Sequence, residues 1–286
     1  MKQAPFFSIV IPTLNEEKYL PLLLEDLVKQ TYQDFEIIHV DGNSDDQTLK
    51  KVAPFKDKLN IQTLQTTTRN VSFQRNMGIE KAKGNWLLFM DADNRLPAYF
   101  LDGIRYRLAK YPETELFTTW VSIDNEKSLN QPIERTINFG LEFGRVVGKE
   151  WSLGAFIGVK RSIVTKEYWF DQTQKVGEDG IFVKKLIDNG YIFNIFRDPK
   201  YVFSVRRLDS EGTIKMARTG ARLAINYLQG KDFSEQDFGY KMEGGGAYTD
   251  QAFFDYYDLQ KFIKTATKNQ IDQAKKLFKT LTKIEF

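Results

Sequence analysis

The run LLFMDADNRLP places two carboxylates, Asp91 and Asp93, one residue apart directly after a hydrophobic segment. Such a pair offers hard oxygen ligands, which suit magnesium or manganese better than zinc or copper. A divalent ion held there would neutralise a phosphate-bearing substrate. Two further segments carry acceptors after hydrophobic runs: PTLNEE after SIVI and DGNSDD after FEIIHV. Asp41, at the end of FEIIHV, can accept from a pyrimidine imide or a ribose hydroxyl. Farther on, GEDG sets two acids, Glu178 and Asp179, side by side.

Other chemistries compete for the same residues. A calcium loop counted from Asp91 would need glycine sixth and glutamate twelfth, but Leu96 and Asp102 stand there, so that reading fails. In phosphatases of the haloacid dehalogenase type the aspartate pair follows the first strand and precedes threonine or valine. Here the pair follows about the fourth strand, and Arg95 occupies the later position. A structural alternative is that the Asp and Asn residues of DADN open the helix PAYFLDGI, since such residues cap helix N-termini. Likewise Asp41, Ser44 and Asp45 could form a turn and a cap, and Glu178 with Asp179 could serve as first-turn acids. The chain has no G-x-G-x-x-G fingerprint and no G-x-x-x-x-G-K-[ST] loop, so another device must hold any phosphate.

The elements that would position these residues alternate from Phe6 to about Ile123. FFSIVI, FEIIHV, NIQTLQ, WLLFM and LFTTWVSI read as strands; LPLLLEDLVKQ, TLKKVAPF, SFQRNMGIEKAKG and PAYFLDGIRYRLAKY read as helices. That rhythm predicts a parallel sheet with helices on both faces, and ligands in such sheets sit beyond the carboxyl ends of the strands. Pro21 fits a first helical turn, and Gly84 is expected to stop the helix before WLLFM. After Ile123 the polar DNEKSLNQP leads to a helix expected near Ile137 to Val147, the strand AFIGVK, a helix from Glu178, and strands at YIFNIF and KYVFSV.

Composition narrows the function. The 286 residues are 42% hydrophobic and carry a net charge of +3, which gives no global field directed at nucleic acid. The chain has no cysteine, which excludes disulfides, thiolate zinc and a cysteine nucleophile; His39, its only histidine, excludes histidine-rich metal sites. His39 itself, inside a strand, reads as a core or pocket-wall residue. No apolar run approaches the ~20 residues that span a bilayer, and residues 1 to 15 lack a signal-peptide pattern, so a cytoplasmic location is expected.

Four segments, SIVIPTLNEEKYL, IIHVDGNSDDQT, QRNMGIEKAKGNWLLFMDADN and GEDGIFVKKLIDNG, together resemble family 2 glycosyltransferases. The resemblance runs in order from about Phe6 to Gly212 and leaves the last 70 or so residues uncovered. It implies an α/β, Rossmann-like GT-A fold over residues 1–212, with a nucleotide-binding half (1–123), an acceptor and base half (124–212), and a C-terminal helical extension (213–286). It further implies inverting transfer of a sugar from a UDP- or GDP-sugar to a hydroxyl of a saccharide or lipid-linked acceptor, assisted by Mn2+ or Mg2+. By position, Pro12, Thr13 and Glu16 would line the nucleoside pocket, Asp41 would read the base and Arg75 would shape the nucleotide site. Asp91 would contact the ribose, Asp93 would hold the metal, and Asp179, beside Glu178, would be the base.

One departure stands out: the segment KYVFSVRRLDSEG lacks the histidine that many members use as a further metal ligand. The third ligand is therefore open, and Arg206 and Arg207, which resemble an arginine pair of some members, could carry leaving-group charge. Ile137 to Lys160 would wall the acceptor site, with Trp151 either stacking on a sugar or packing in the core. Thr213 to Leu228 and Leu259 to Ile284 read as basic amphipathic helices, compatible with peripheral contact at an anionic membrane or with ordinary packing on the sheet. The rival functions are a noncatalytic nucleotide-sugar binding protein, and a metal-dependent phosphatase or nucleotidyltransferase using the same aspartate pair.

Overall fold

The structure, a computed structural model, describes residues 4–123, 130–146, 148, 150–174 and 177–204. Arg206, Arg207 and the helices expected at Thr213–Leu228 and Leu259–Ile284 lie outside the described residues.

Seven strands form one sheet in the order β3-β2-β1-β4-β6-β5-β7. They are β1 (Phe7–Thr13), β2 (Phe35–Asp41), β3 (Ile61–Gln65), β4 (Trp86–Met90), β5 (Leu116–Ser122), β6 (Phe156–Lys160) and β7 (Phe193–Val202). All pairings are parallel except those of β6, which runs antiparallel to both β4 and β5. Strand alternation divides the core between the two faces. Ile9, Ile37 and Leu88 point to one side, where they meet Leu20, Leu23, Leu24 and Leu27 of α1 (Leu20–Val28) and Ile104 of α4 (Phe100–Lys110). Val10, Ile38 and Phe89 point to the other, where they meet Ile79 of α3 (Val71–Lys81) and Phe182 and Leu186 of α6 (Glu178–Asp188). Each wholly buried leucine of α1 contributes roughly 1.5–3 kcal/mol of transfer free energy, so the α1 face is a principal anchor of the layer. The mostly parallel α/β fold with helices on both faces matches the expectation from the alternating pattern.

Some details differ from that expectation. YIFNIF and KYVFSV are not two strands: β7 runs through both, and a register shift against β5 between Thr119 and Val121 absorbs the irregularity. α5 (Asn130–Val146) begins about two turns before Ile137, because Pro132 lies in its first turn, where a missing N–H costs no hydrogen bond. Gly84 does not end α3, whose last residue is Lys81; a Cβ on Gly84 would lie 2.6 Å from the backbone nitrogen of Ser8. This glycine permits the close approach of the α3–β4 connection to β1.

Strand order places the functional edge. From β1 the chain moves outward to β2 and β3, then returns to the opposite side of β1 for β4, so the crevice lies beyond the carboxyl ends of β1, β2 and β4. Antiparallel β6 starts at that same edge, with Phe156 opposite Met90. It thereby delivers the segment before it, Trp151 to Ala155, to the crevice as well.

Candidate active site

Three consecutive residues of α3 organise the edge. Although α3 sits against the sheet, its buried positions are largely polar: Ser72, Gln74, Arg75 and Asn76. Gln74 Nε2 donates to the carbonyls of Thr13 and Val40, both at 2.8 Å, and so ties the ends of β1 and β2 together. Asn76 exchanges two hydrogen bonds with the backbone of Phe170 (2.8 and 2.9 Å), fixing the loop beneath α6. Between them Arg75, 2% exposed, spans three loops. Its Nη1 donates to Glu178 Oε1 (2.8 Å), and its Nη2 to Asp91 Oδ1 (3.2 Å) and the Gly154 carbonyl (3.1 Å). Its guanidinium lies 5.2 Å from the centre of the Phe170 ring, which stacks on Phe182 at 4.1 Å.

The first two loops form a closed network. Asp41 is wholly buried, its Oδ1 accepting from Thr13 Oγ1 (3.0 Å) and Ser44 Oγ (2.6 Å) and its Oδ2 from the Ser44 amide (2.9 Å). Since the single Thr13 hydroxyl proton goes to that carboxylate, His39 Nε2, 2.8 Å from Thr13 Oγ1, must donate to it. His39 is then neutral with its proton on Nε2; burial pulls its pKa down to about 4, with Asp41 opposing. Asn15 and Asn43 adopt positive φ (56° and 61°), which asparagine tolerates. Across the two loops the Asn15 amide donates to Ser44, the Asp45 amide to Asn15, and the Glu16 amide to Thr48. The turn expected at Asp41 and Ser44 is present, while the start of α2 (Thr48–Val52) is bonded by Asp46 rather than Asp45. Pro12, Thr13 and Glu16 are all buried at this end of β1.

The aspartate pair follows β4. The helix-start reading of DADN does not describe what is there: α4 begins at Phe100, and Tyr99 at its N-cap makes no side-chain cap. Instead the Asp91 amide donates to the Ala155 carbonyl (3.1 Å), the Asn94 side chain donates to the same carbonyl, and Arg95 clamps both oxygens of Asp26 on α1 (2.6 and 2.8 Å). The Arg95 and Val202 backbones exchange hydrogen bonds, joining the loop to the end of β7. The loop is therefore pinned at both ends with Asp93 between them.

The fourth component is the first turn of α6. Gly177 precedes it at φ 75°, a conformation that favours glycine. Of the two acids expected to be catalytic, Glu178 is 4% exposed and engaged by Arg75, so it anchors the arginine rather than facing a substrate. Asp179 is partly exposed and accepts at Oδ1 from the Gly180 amide (2.8 Å). Desolvation, and next the charge of Glu178, push its carboxyl up to about 7, against the pull of Arg75. Gly154 makes this placement possible, because a Cβ there would come within 2.6 Å of Asp179 Oδ2.

The structure thus gathers Arg75, Asp91, Glu178 and Asp179 around one guanidinium, with Thr13, Glu16 and Asp41 at the neighbouring strand ends. Trp151 donates its indole N–H to the Gly140 carbonyl (3.0 Å) and lies against α5, a packing arrangement. Gln74, Asn76 and Gly154 were not singled out from the sequence. For the two α3 residues the available signal was a polar triplet, QRN, at buried helix positions; Gly154 offered none, since its neighbour Asp179 is 25 residues away in sequence.

Comparison with known proteins agrees with this architecture. The chain is 26% identical over 237 residues to the poly(ribitol-phosphate) beta-N-acetylglucosaminyltransferase TarS of Staphylococcus aureus, covering 80% of this chain but only 39% of that protein. The crystal structure of S. aureus TarS residues 1–349 with UDP superimposes with a TM-score of 0.58 at 23% identity, over 79% of this chain and 66% of that one. The mannosyltransferase PcManGT from Pyrobaculum calidifontis, in complex with GDP-Man and Mn2+, gives a TM-score of 0.63 at 18% identity, over 80% and 64%. At these identities the structural likeness is one of fold, the GT-A fold. Residues 8–166, more than half of the chain, match the family model described as Glycosyl transferase family 2, and the chain belongs to that family.

Proposed function

We propose that this chain is an inverting glycosyltransferase that moves a sugar from a nucleoside diphosphate to an acceptor hydroxyl, with Asp179 as general base. The observation that carries the reading is the setting of Asp179. It is a partly exposed carboxyl at the sheet edge, in the first turn of α6 beside Glu178 and the Arg75 cluster, with its pKa pushed up to about 7. A base poised there accepts a hydroxyl proton efficiently near neutral pH. One such group suffices for a single displacement, whereas glycosidases need two opposed carboxylates. Glu178 and Arg75 keep Asp179 in place, and the buried Asp41–Thr13–His39 network holds the loops against which a nucleoside would rest. Reading of a base by Asp41 would require exchange of one of its bonds to Ser44 or Thr13.

Asp91 and Asp93 are hard oxygen donors at a loop that Arg95 and Ala155 hold rigid, which fits a magnesium or manganese ion. When bound, such an ion stabilises charge on the departing diphosphate. No group of three or more His, Cys, Asp or Glu side chains able to hold a metal gathers among the described residues. Asp93 would therefore share the ion with diphosphate oxygens and water, and Arg206 with Arg207 would carry part of the charge. A saccharide or lipid-linked acceptor would approach from the Ile137 to Lys160 side. Among the described residues no helix is long and apolar enough to cross a membrane.

UDP and GDP, the nucleotides seen in the two structural neighbours, are the first donors to try. With the preferred donor and manganese, Asp179→Asn is expected to bind the nucleotide normally and to lose 10²- to 10⁴-fold in turnover, on the order of a general base's contribution. Wild-type kcat/KM should rise with pH through about 7 as Asp179 deprotonates. Stability should move oppositely. A carboxyl whose folded pKa lies above its unfolded value stabilises the fold fully below the unfolded value, and that stabilisation is lost as pH rises through about 7. Asp179→Asn should abolish this slope. Turnover undiminished in Asp179→Asn would remove the assignment, and a noncatalytic binder would show nucleotide binding with no turnover in the wild type.

A further inference from the structure

The end of β7 carries a group that none of the roles above uses. Tyr201 is 0% exposed, yet its hydroxyl has no hydrogen-bond partner among the described residues. Burying a phenol without a partner is unfavourable, and tyrosine hydroxyls in protein interiors are normally bonded. The ring is fixed: it pairs across the sheet with Val121 and packs on Phe156 with centroids 5.6 Å apart. Its neighbour Val202 exchanges backbone hydrogen bonds with Arg95 (2.8 and 3.1 Å), so the phenol stands beside the loop that carries the aspartate pair. Phe156 opens β6 immediately after Ala155, whose carbonyl receives the Asp91 amide. Burial, and next the neighbouring carboxyl groups of Asp91, Asp93 and Asp179, push the phenol's pKa well above its ordinary value, so it stays a donor.

A buried donor without a partner among the described residues, on the residue next to the one that ties β7 to the aspartate loop, calls for an acceptor, and the carboxylates of that loop are the chemically suited ones. We propose that Tyr201 is a positioning residue of the donor site, whose hydroxyl donates to a carboxylate of the Asp91–Asp93 pair when a nucleoside diphosphate is bound. The inference rests on the nucleotide-sugar reading given above and adds to it a residue that touches neither base nor acceptor. Without nucleotide the hydroxyl has no partner among the described residues. In the bound state it fixes the carboxylate geometry that receives the diphosphate.

Tyr201→Phe tests this, because it deletes the oxygen and leaves the ring packed on Phe156. Three readouts are compared with wild type: the melting temperature without nucleotide, the Kd for UDP or GDP with manganese and with chelator, and donor turnover. The expected result is a nucleotide-free melting temperature equal to or above wild type, since an unpartnered polar atom has been removed. The Kd with manganese should rise on the order of tenfold, as for a lost bond to a charged acceptor. The exposed hydroxyl of Tyr106 provides the control, and Tyr106→Phe should match wild type throughout. Unchanged Kd and turnover in Tyr201→Phe would overturn the inference while leaving the nucleotide-sugar reading intact. A lower nucleotide-free melting temperature would also overturn it, because the hydroxyl would already be bonded without ligand. If the wild type binds neither nucleotide, the reading and the inference fall together.

Discussion

The two halves of the sheet edge are built on opposite principles. Beyond β1 and β2, hydrogen bonding is nearly complete: Asp41 accepts three bonds, Ser44 links Asp41 to Asn15, and Gln74 joins the two strand ends. Within the Asp41 network the unpartnered buried atom among the described residues is His39 Nδ1; Thr63 Oγ1 on β3 and Ser72 Oγ on α3 are unpartnered on the flanking elements. Beyond β4 and before α6, several polar groups are left over. Arg75 Nε, Asn94 Oδ1 and the Tyr201 hydroxyl are buried and have no partner among the described residues, and Asp179 is held well above its ordinary pKa. Buried polar groups ordinarily find partners. A region that leaves several unmet, beside one that meets more of them, carries stored cost where, on the proposed reading, ligand and proton would be handled, with the more completely bonded half as its support.

The sharpest way to break this contrast is at Arg75, the one side chain that binds the unfinished half together. Arg75→Met keeps most of the stem but leaves Glu178 buried without its counter-charge. Removing one member of a buried ion pair typically costs 3–5 kcal/mol, and a loss of about that size is expected in urea or guanidinium unfolding. A loss below about 1 kcal/mol would mean that Glu178 is relieved by protonation or by water, and that the cluster is looser than its distances indicate.

How much of this was legible in the sequence depends on whether the signal was local. The strands and helices from β1 to α4 follow from periodicity, because each buries one face against the sheet. The candidate acids Asp41, Asp91, Asp93 and Asp179 follow strand ends or open a helix, and strand ends are readable. The partners of those acids were not readable. Gly154 is a glycine because Asp179 occupies the space of its side chain, and Tyr201 reads within KYVFSV as an ordinary strand aromatic. Glu178 and Asp179 look equivalent in GEDG; only the arginine, a hundred residues upstream, distinguishes the anchor from the candidate base. Trp151, readable by type as a sugar platform or a packing residue, donates its indole N–H to Gly140 on a helix whose start lies earlier than the sequence pattern indicates.

A smaller effect should come from the completed half. Thr13→Val preserves shape but withdraws one donor from Asp41 and the acceptor for His39 Nε2. Leaving buried groups unsatisfied costs roughly 1–3 kcal/mol each. Asp41 keeps both Ser44 bonds, so a net loss of about 2 kcal/mol is expected from thermal or denaturant melts. Serine at position 13 should restore most of it, since it returns the hydroxyl. If Thr13→Val cost nothing, the buried chain from His39 to Ser44 would be dispensable, and the contrast between the halves would rest on Arg75 alone.

The smallest effect separates a network held from within from one held at its rim. Arg69 reaches over the Asn43–Asp45 turn, its Nη2 donating to the Asn43 carbonyl (2.9 Å) and pairing with Asp45 (2.6 Å). Those side chains are 44% and 67% exposed, and exposed ion pairs contribute only about 0–1 kcal/mol because water and salt screen them. Arg69→Ala should therefore change the unfolding free energy by less than about 1 kcal/mol, with the difference shrinking further in high salt. That near-silence is informative beside Thr13→Val, because both substitutions act on the same pair of loops. Should Arg69→Ala prove the costlier of the two, the turn after β2 would be clamped from its surface. The abutment for a bound nucleotide would then depend on ionic strength, in contrast to the dry, salt-insensitive hold that the Asp41 bonds describe.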